Sequence, residues 1–143
     1  LPAYSPDPND LALKPVGTVV SELTDLKDAP RQGDEGAPEA WLVFDETVRP
    51  ALQGLTEGSD VLVLTWLDRS DRSVTAVHPR GDTSRPRAGV FSTRSPDRPN
   101  PIGLHQVTIT SIEELRIRVR NLEALDGTPV LDLKPLLGPT DER

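Results

Sequence analysis

An all-β domain, a small closed or nearly closed barrel of short strands with at most one short helix, is the fold this sequence predicts. Three observations point there. About eight short apolar or alternating runs are spread over 143 residues, and none sustains the three-and-four spacing of a long amphipathic helix. The 15 prolines and 10 glycines supply the turns that many short strands need. No internal repeat or linker divides the chain, so the strands share one core, and closure is how such a sheet removes its edges.

The elements follow in order. Residues Leu1 to Leu13, with three prolines, read as an irregular leader, and residues 14–143 as a single barrel domain. Val16 to Ser21 is a short strand, Asp25 to Pro38 a charged loop without periodicity, and Trp41 to Phe44 a second strand. Asp45 stands where it can cap a short helix over Glu46 to Gln53, limited by Pro50 and ended by Gly54. Val61 to Leu67, "VLVLTWL", is the most continuous apolar run, the pattern of a strand buried on both faces. Ser73 to Val77 and Gly89 to Thr93 are two further short strands. "QVTITSI" and "LRIRVRNL" flank Glu113-Glu114 as a hairpin, and Asp126-Gly127 is a turn that leads through Thr128 and Pro129 into "VLDLKPLL".

Composition narrows the function classes. There is no cysteine, which excludes disulfides, thiolate metal sites and cysteine nucleophiles and points to the cytoplasm. His78 and His105 are the two histidines, too few for a histidine-rich metal centre, and no metal is expected. No apolar run has the length of a membrane span and no signal-peptide pattern opens the chain, so no membrane partner is expected. With no methionine at all, the start at Leu1 reads as trimmed. A net charge of −7 argues against unselective nucleic-acid binding. Yet seven arginines stand against three aspartates between Arg69 and Arg98, a local +4 in an otherwise acidic chain. That segment is either a phosphate-contacting surface or a loop region solvated by arginine. Arg116, Arg118 and Arg120 alternate with Ile117 and Val119, the wet face of an amphipathic strand before it is an RNA contact.

The stretch "RSPDRPNPIG", Arg94 to Gly103, stands apart. Proline fixes φ and restrains the residue before it, so Ser95, Arg98 and Asn100 are all biased to extended backbone. Such a loop has lost most of its entropy before a ligand arrives, which favours specific binding. Arg94 and Arg98 offer planar donor forks for a carboxylate or phosphate, and Asn100 offers an amide. The competing reading is a rigid crossover whose arginines bond nearby carbonyls. Dinucleotide, P-loop, zinc and serine-hydrolase signatures are absent.

"GVFSTRSPDRPNPIGL" followed by "LEALDGTPVLDLKP" resembles the TrmO family, the TsaA-like β-barrel methyltransferases that use S-adenosylmethionine to modify tRNA. "APRQG", Ala29 to Gly33, is similar to a third family element. The resemblance implies a dimeric barrel that binds S-adenosylmethionine near the subunit interface. It implies cofactor contacts at Pro30, Arg31 and Gln32, at Asp68 and Arg69, at Arg94 and Leu104, and at Asp126, Gly127, Thr128 and Pro129. Arg31 or Arg94 would pair the cofactor carboxylate, Asp126 its ammonium or ribose, and turn amides near Gly127 and Thr128 its adenine. The implied acceptor is N6 of threonylcarbamoyladenosine at position 37 in the tRNA anticodon loop, and the implied assembly a homodimer.

Three departures accompany the resemblance. His105 stands where the family usually has serine, Leu136 where it has tyrosine, and Asp68-Arg69 where it has a histidine and its successor. They touch acceptor recognition more than the cofactor signatures. No base for the acceptor is evident in the residues; His105 is tempting, though a lone histidine at a strand start is usually structural. A methyltransferase of this fold acting on a small nucleoside or other metabolite, and a non-catalytic RNA-binding barrel, are the alternative readings. The second has few stacking rings at its disposal, with Tyr4, Trp41, Phe44, Trp66 and Phe91 the only aromatics.

Overall fold

A computed structural model describes residues 3, 5, 7–24 and 38–138. Its eight strands are β1 Gly17–Val20, β2 Ala40–Phe44, β3 Asp60–Trp66, β4 Ala76–Val77, β5 Ala88–Gly89, β6 Ile102–Glu113, β7 Arg116–Arg120 and β8 Pro129–Pro135. Six of them close a barrel in the order β1-β2-β7-β6-β3-β8, while β4 and β5 form a separate two-stranded ribbon.

Alternation writes the barrel wall. Val19 of β1, Leu42 of β2, Val63 of β3, Val107 and Ile109 of β6, Ile117 and Val119 of β7 and Val130 of β8 face inward and are buried. Each is followed by a more exposed neighbour, as the two-residue period of a pleated strand requires. In β3 this corrects the expectation of burial on both faces: Val61, Val63 and Thr65 are buried, but Leu62, Leu64 and Trp66 are half-buried. The barrel is one sheet thick, so its outer face has no second layer to cover it.

The capped segment after β2 lies where expected. Asp45 accepts from the Thr47 backbone N–H at 3.0 Å and opens a 3-10 helix over Glu46–Leu52, with Pro50 inside it. Gly54 follows with φ +95°, a conformation glycine adopts without strain. A 3-10 turn over Pro8–Leu11 falls within the leader expected to be irregular.

Two strand expectations need correction. The chain pairs only at Ala88–Gly89 and then turns through a 3-10 helix over Val90–Ser92, so Gly89 to Thr93 is not a strand. The cause is Arg98, whose guanidinium donates to the carbonyls of Val90, Thr93 and Ser95 and draws them into a tight turn. Similarly, Ser73 to Val77 contributes only Ala76–Val77. Strand β6, in contrast, begins at Ile102, directly after the proline loop.

Every pairing in the barrel is antiparallel. The ends of β1, β3 and β7 and the starts of β2, β6 and β8 therefore lie at one end of the barrel. That end carries the long β3–β6 excursion, residues 67–101, and the β7–β8 connection, residues 121–128. Leu122, Ala124 and Leu125 of the latter are buried across the barrel mouth and close the core there. Among the described residues no helix is long and apolar enough to cross a membrane.

Candidate functional site

A cleft of about 1350 Å³ opens between the β3–β6 excursion and the β7–β8 connection. That is ample for a nucleoside-sized ligand. Its walls include Asp68, Arg69, Arg94, Leu104 and Thr128, residues from four separate stretches of sequence.

The proline loop forms one wall, held by more than its prolines. Besides the Arg98 bonds, Arg72 donates to the Pro99 carbonyl at 2.8 Å and to Asn100 Oδ1 at 3.1 Å. Asp97 Oδ1 accepts from the Asp71 backbone N–H at 2.8 Å, and Arg72 stacks on Trp66 with 5.1 Å to the ring centroid. Arg98 and Asn100, read from sequence as possible ligand groups, are thus employed by the loop itself. Arg94 is different. It is exposed, lines the cleft, and forms no hydrogen bond or ion pair among the described residues.

The other described cationic residue of the expected set, Arg69, also lines the cleft. It donates to the Thr24 carbonyl at 3.3 Å and the Asp126 carbonyl at 3.4 Å, and so ties three connections together. Its neighbour Asp68 is exposed on the cleft wall. Leu104 sits on the outer face of β6, 41% exposed, beside Ile102 at the same exposure.

The Asp126-Gly127-Thr128-Pro129 turn is committed to closing the barrel. Asp126 Oδ1 accepts from the Ser21 backbone N–H at 2.9 Å, and the Asp126 amide donates to Leu23 at 2.6 Å. The Gly127 amide donates to Val19 at 2.8 Å and the Thr128 amide to Leu125 at 3.1 Å. Both amides are thus taken up by backbone carbonyls. Pro129 begins β8 opposite Thr18. Pro30, Arg31 and Gln32 lie outside the described residues.

One constellation was invisible in the sequence. His105, 5% exposed, donates or accepts at both ring nitrogens: Nδ1 lies 2.5 Å from Glu123 Oε1 and Nε2 lies 2.7 Å from Thr65 Oγ1. Both ring nitrogens of this buried histidine are engaged, and His105 is also part of the cleft wall. Gly103 makes the arrangement possible. It stands opposite Thr65 in the β3–β6 register, and a Cβ there would lie 2.6 Å from His105 Nε2 and closer still to Thr65 Oγ1. Glu123 is 18 residues from His105 in sequence, and no local pattern links the two.

The arginines of β7 sort differently. Arg118 pairs with Glu39 at 2.8 Å and Arg116 with Glu113 at 2.9 Å. Both stack over Trp41, at 5.8 and 4.6 Å from its centroid. This is the wet face of an amphipathic strand, on which Arg116 and Arg118 have partners of their own while exposed Arg120 has no hydrogen bond or ion pair among the described residues.

Comparison with known proteins agrees with this architecture. A protein of Methanothermobacter thermautotrophicus described as a probable S-adenosyl-L-methionine-binding protein is 43% identical over 126 residues, 88% of this chain and 90% of its own. An S-adenosyl-L-methionine-binding protein of Archaeoglobus fulgidus is 44% identical over 125 residues, 87% of this chain and 88% of its own. A crystal structure of TrmO from Pseudomonas aeruginosa superposes with TM-score 0.72 at 29% identity, covering 92% of this chain and 60% of that one. This chain thus spans about three fifths of the length of that TrmO. Residues 18–142 match the model of the tRNA-methyltransferase O N-terminal domain, and the chain belongs to that family.

Proposed function

We propose that this chain is an S-adenosylmethionine-dependent methyltransferase that methylates N6 of threonylcarbamoyladenosine at position 37 of tRNA, working as a homodimer. The observation that carries the reading is Arg94: a family-signature arginine on the wall of a large cleft, with no partner among the described residues. An unpaired guanidinium in a pocket suits an anionic group, and the methionine carboxylate of the cofactor is one. The relatives described as S-adenosyl-L-methionine-binding proteins support the same ligand.

When bound, the cofactor supplies an electrophilic methyl group on a sulfonium. The residues of this chain bind it, align an acceptor and exclude competing geometries. Arg94 anchors the ligand from a loop already stiffened by proline and by Arg98, so little ordering remains to be done on binding. The exposed arginines of the β3–β6 excursion support a phosphate-bearing acceptor, although Arg85 lies 3.9 Å from Asp82 and Arg87 donates to the Ala76 carbonyl. Phe91 at 88% exposure, with Ile102 and Leu104, supports a second copy of the chain covering this rim.

A second reading, the same chemistry on a small nucleoside, is favoured by one observation, the net charge of −7, which opposes approach of a polyanion. Incubation with methyl-labelled S-adenosylmethionine and either threonylcarbamoyladenosine-containing tRNA or the free nucleoside separates the two. Label in the tRNA base is the expected result. Label in the nucleoside alone selects the second reading, and label in neither defeats methyl transfer to these acceptors.

A further inference from the structure

We infer that Glu123 is a second anchor of the cofactor cleft, a carboxylate held by His105 and Thr65 that receives the ammonium of the methionine end while Arg94 receives its carboxylate. The inference rests on the S-adenosylmethionine reading above.

Glu123 lines the same cleft as Arg94. Its side chain is 21% exposed, and its one ion-pair contact among the described residues is His105. The Thr65 hydroxyl, fully buried, meets His105 Nε2 at 2.7 Å. If the hydroxyl donates, the ring proton sits on Nδ1, where it faces Glu123 Oε1 at 2.5 Å. No lysine or arginine pairs with the Glu123 carboxylate among the described residues.

A largely buried carboxylate without a cation is costly, and the cost falls when a cation arrives. Asp68, the other acidic residue of the cleft, is exposed and lies in solvent that screens it. Among the described residues the cleft therefore presents Arg94, a guanidinium with no hydrogen bond or ion pair, and Glu123, a shielded carboxylate with no lysine or arginine paired to it. An α-amino acid moiety carries the complementary pair. Because His105 holds one oxygen of Glu123, the carboxylate is oriented before the ligand binds, and Gly103 is the residue that leaves room for that hold. His105 and Thr65 act through Glu123 and are positioning residues.

The test is calorimetric titration of the full chain with S-adenosylmethionine, S-adenosylhomocysteine and 5′-methylthioadenosine. The first two carry the amino-acid end, the second lacks the sulfonium, and the third lacks the amino-acid end altogether. Glu123→Gln is expected to weaken the first two alike, by tenfold or more, and to leave the third unchanged. His105→Leu reproduces this loss, whereas His105→Asn, whose side-chain amide restores a donor near Nδ1, rescues most of it. Equal loss for all three ligands would mean that Glu123 only supports the fold and would overturn the inference. Loss confined to S-adenosylmethionine would assign Glu123 to the sulfonium and overturn it as well. An unchanged Glu123→Gln variant defeats the inference alone, while a native chain that binds none of the three defeats the cofactor reading and the inference together.

Discussion

Two arginine-bearing regions of this barrel differ in one respect. On the β7 face, Arg116 and Arg118 each have an acidic partner and the Trp41 ring beneath them. In the cleft, Arg94 has no partner among the described residues and Glu123 has only a histidine. Paired charge on an open surface is what an ordinary wet strand face carries and is worth little. Charges left without a counterpart in one cleft are an arrangement that a ligand completes. The proline loop repeats the contrast at short range: Arg98 is consumed by three carbonyls, and Arg94, four positions earlier, is not.

Substitutions can break this contrast or sharpen it. Gly103→Ala should have the largest effect, because the added methyl meets Thr65 and His105 in a packed interior. A loss of about 1–3 kcal/mol is expected for such overpacking, seen in thermal melts together with lost ligand binding. A variant as stable as the native chain would show that the relay has room to move. Arg98→Ala should cost about 2 kcal/mol, the scale of charge-assisted hydrogen bonds lost from a loop. It lowers Tm and opens the loop to limited proteolysis; a drop in affinity at unchanged Tm would instead place Arg98 among the ligand groups.

Arg94→Ala should do the reverse of Arg98→Ala. Stability stays within about 0.5 kcal/mol, as for exposed positions without partners, while affinity for S-adenosylmethionine in calorimetry falls roughly tenfold, the scale of one charge-assisted bond. Arg116→Ala and Arg118→Ala should each shift stability by only about 0.2–1 kcal/mol, less at high salt, and leave that affinity untouched. Loss of affinity in either would extend the ligand surface onto β7.

The smallest effect concerns pH. The Thr47 backbone N–H, and then its hydroxyl, hold the exposed Asp45 carboxyl below its ordinary value of 3.8. The folded value lies under the unfolded one, so the cap contributes fully above pH 3.8 and its contribution vanishes as pH falls through the lower folded value. Asp45→Asn keeps an acceptor for Thr47 and should flatten that acid-side slope of Tm. An unchanged slope would assign the acid sensitivity to other carboxylates such as Asp71 and Asp82, which their serine neighbours also depress.

Much of the fold was legible because its signals are local. The alternation in "LRIRVRNL" marks β7, the Asp45–Gly54 span carries its own cap, breaker and stop, and the apolar run of β3 cannot be a loop. One error came where a side chain outside the segment overrides its backbone preference. Gly89 to Thr93 has the composition of a strand, yet Arg98 claims its carbonyls. The candidate site divides in the same way. Arg94 stands out through the motif around it, while Glu123, though inside "LEALDGTPVLDLKP", has no local feature that pairs it with His105.

The amino-acid sequence by itself determined the strand pattern, the stiffness of the proline loop and the position of Arg94 within it, since backbone restriction and period-two burial are properties of neighbouring residues. Only the tertiary structure decided which arginines are left unpaired and that Glu123, His105, Thr65 and Gly103 form one unit. Those facts depend on the β3–β6 register and on the connection that closes the barrel mouth, and a register is set by the packing of the whole core.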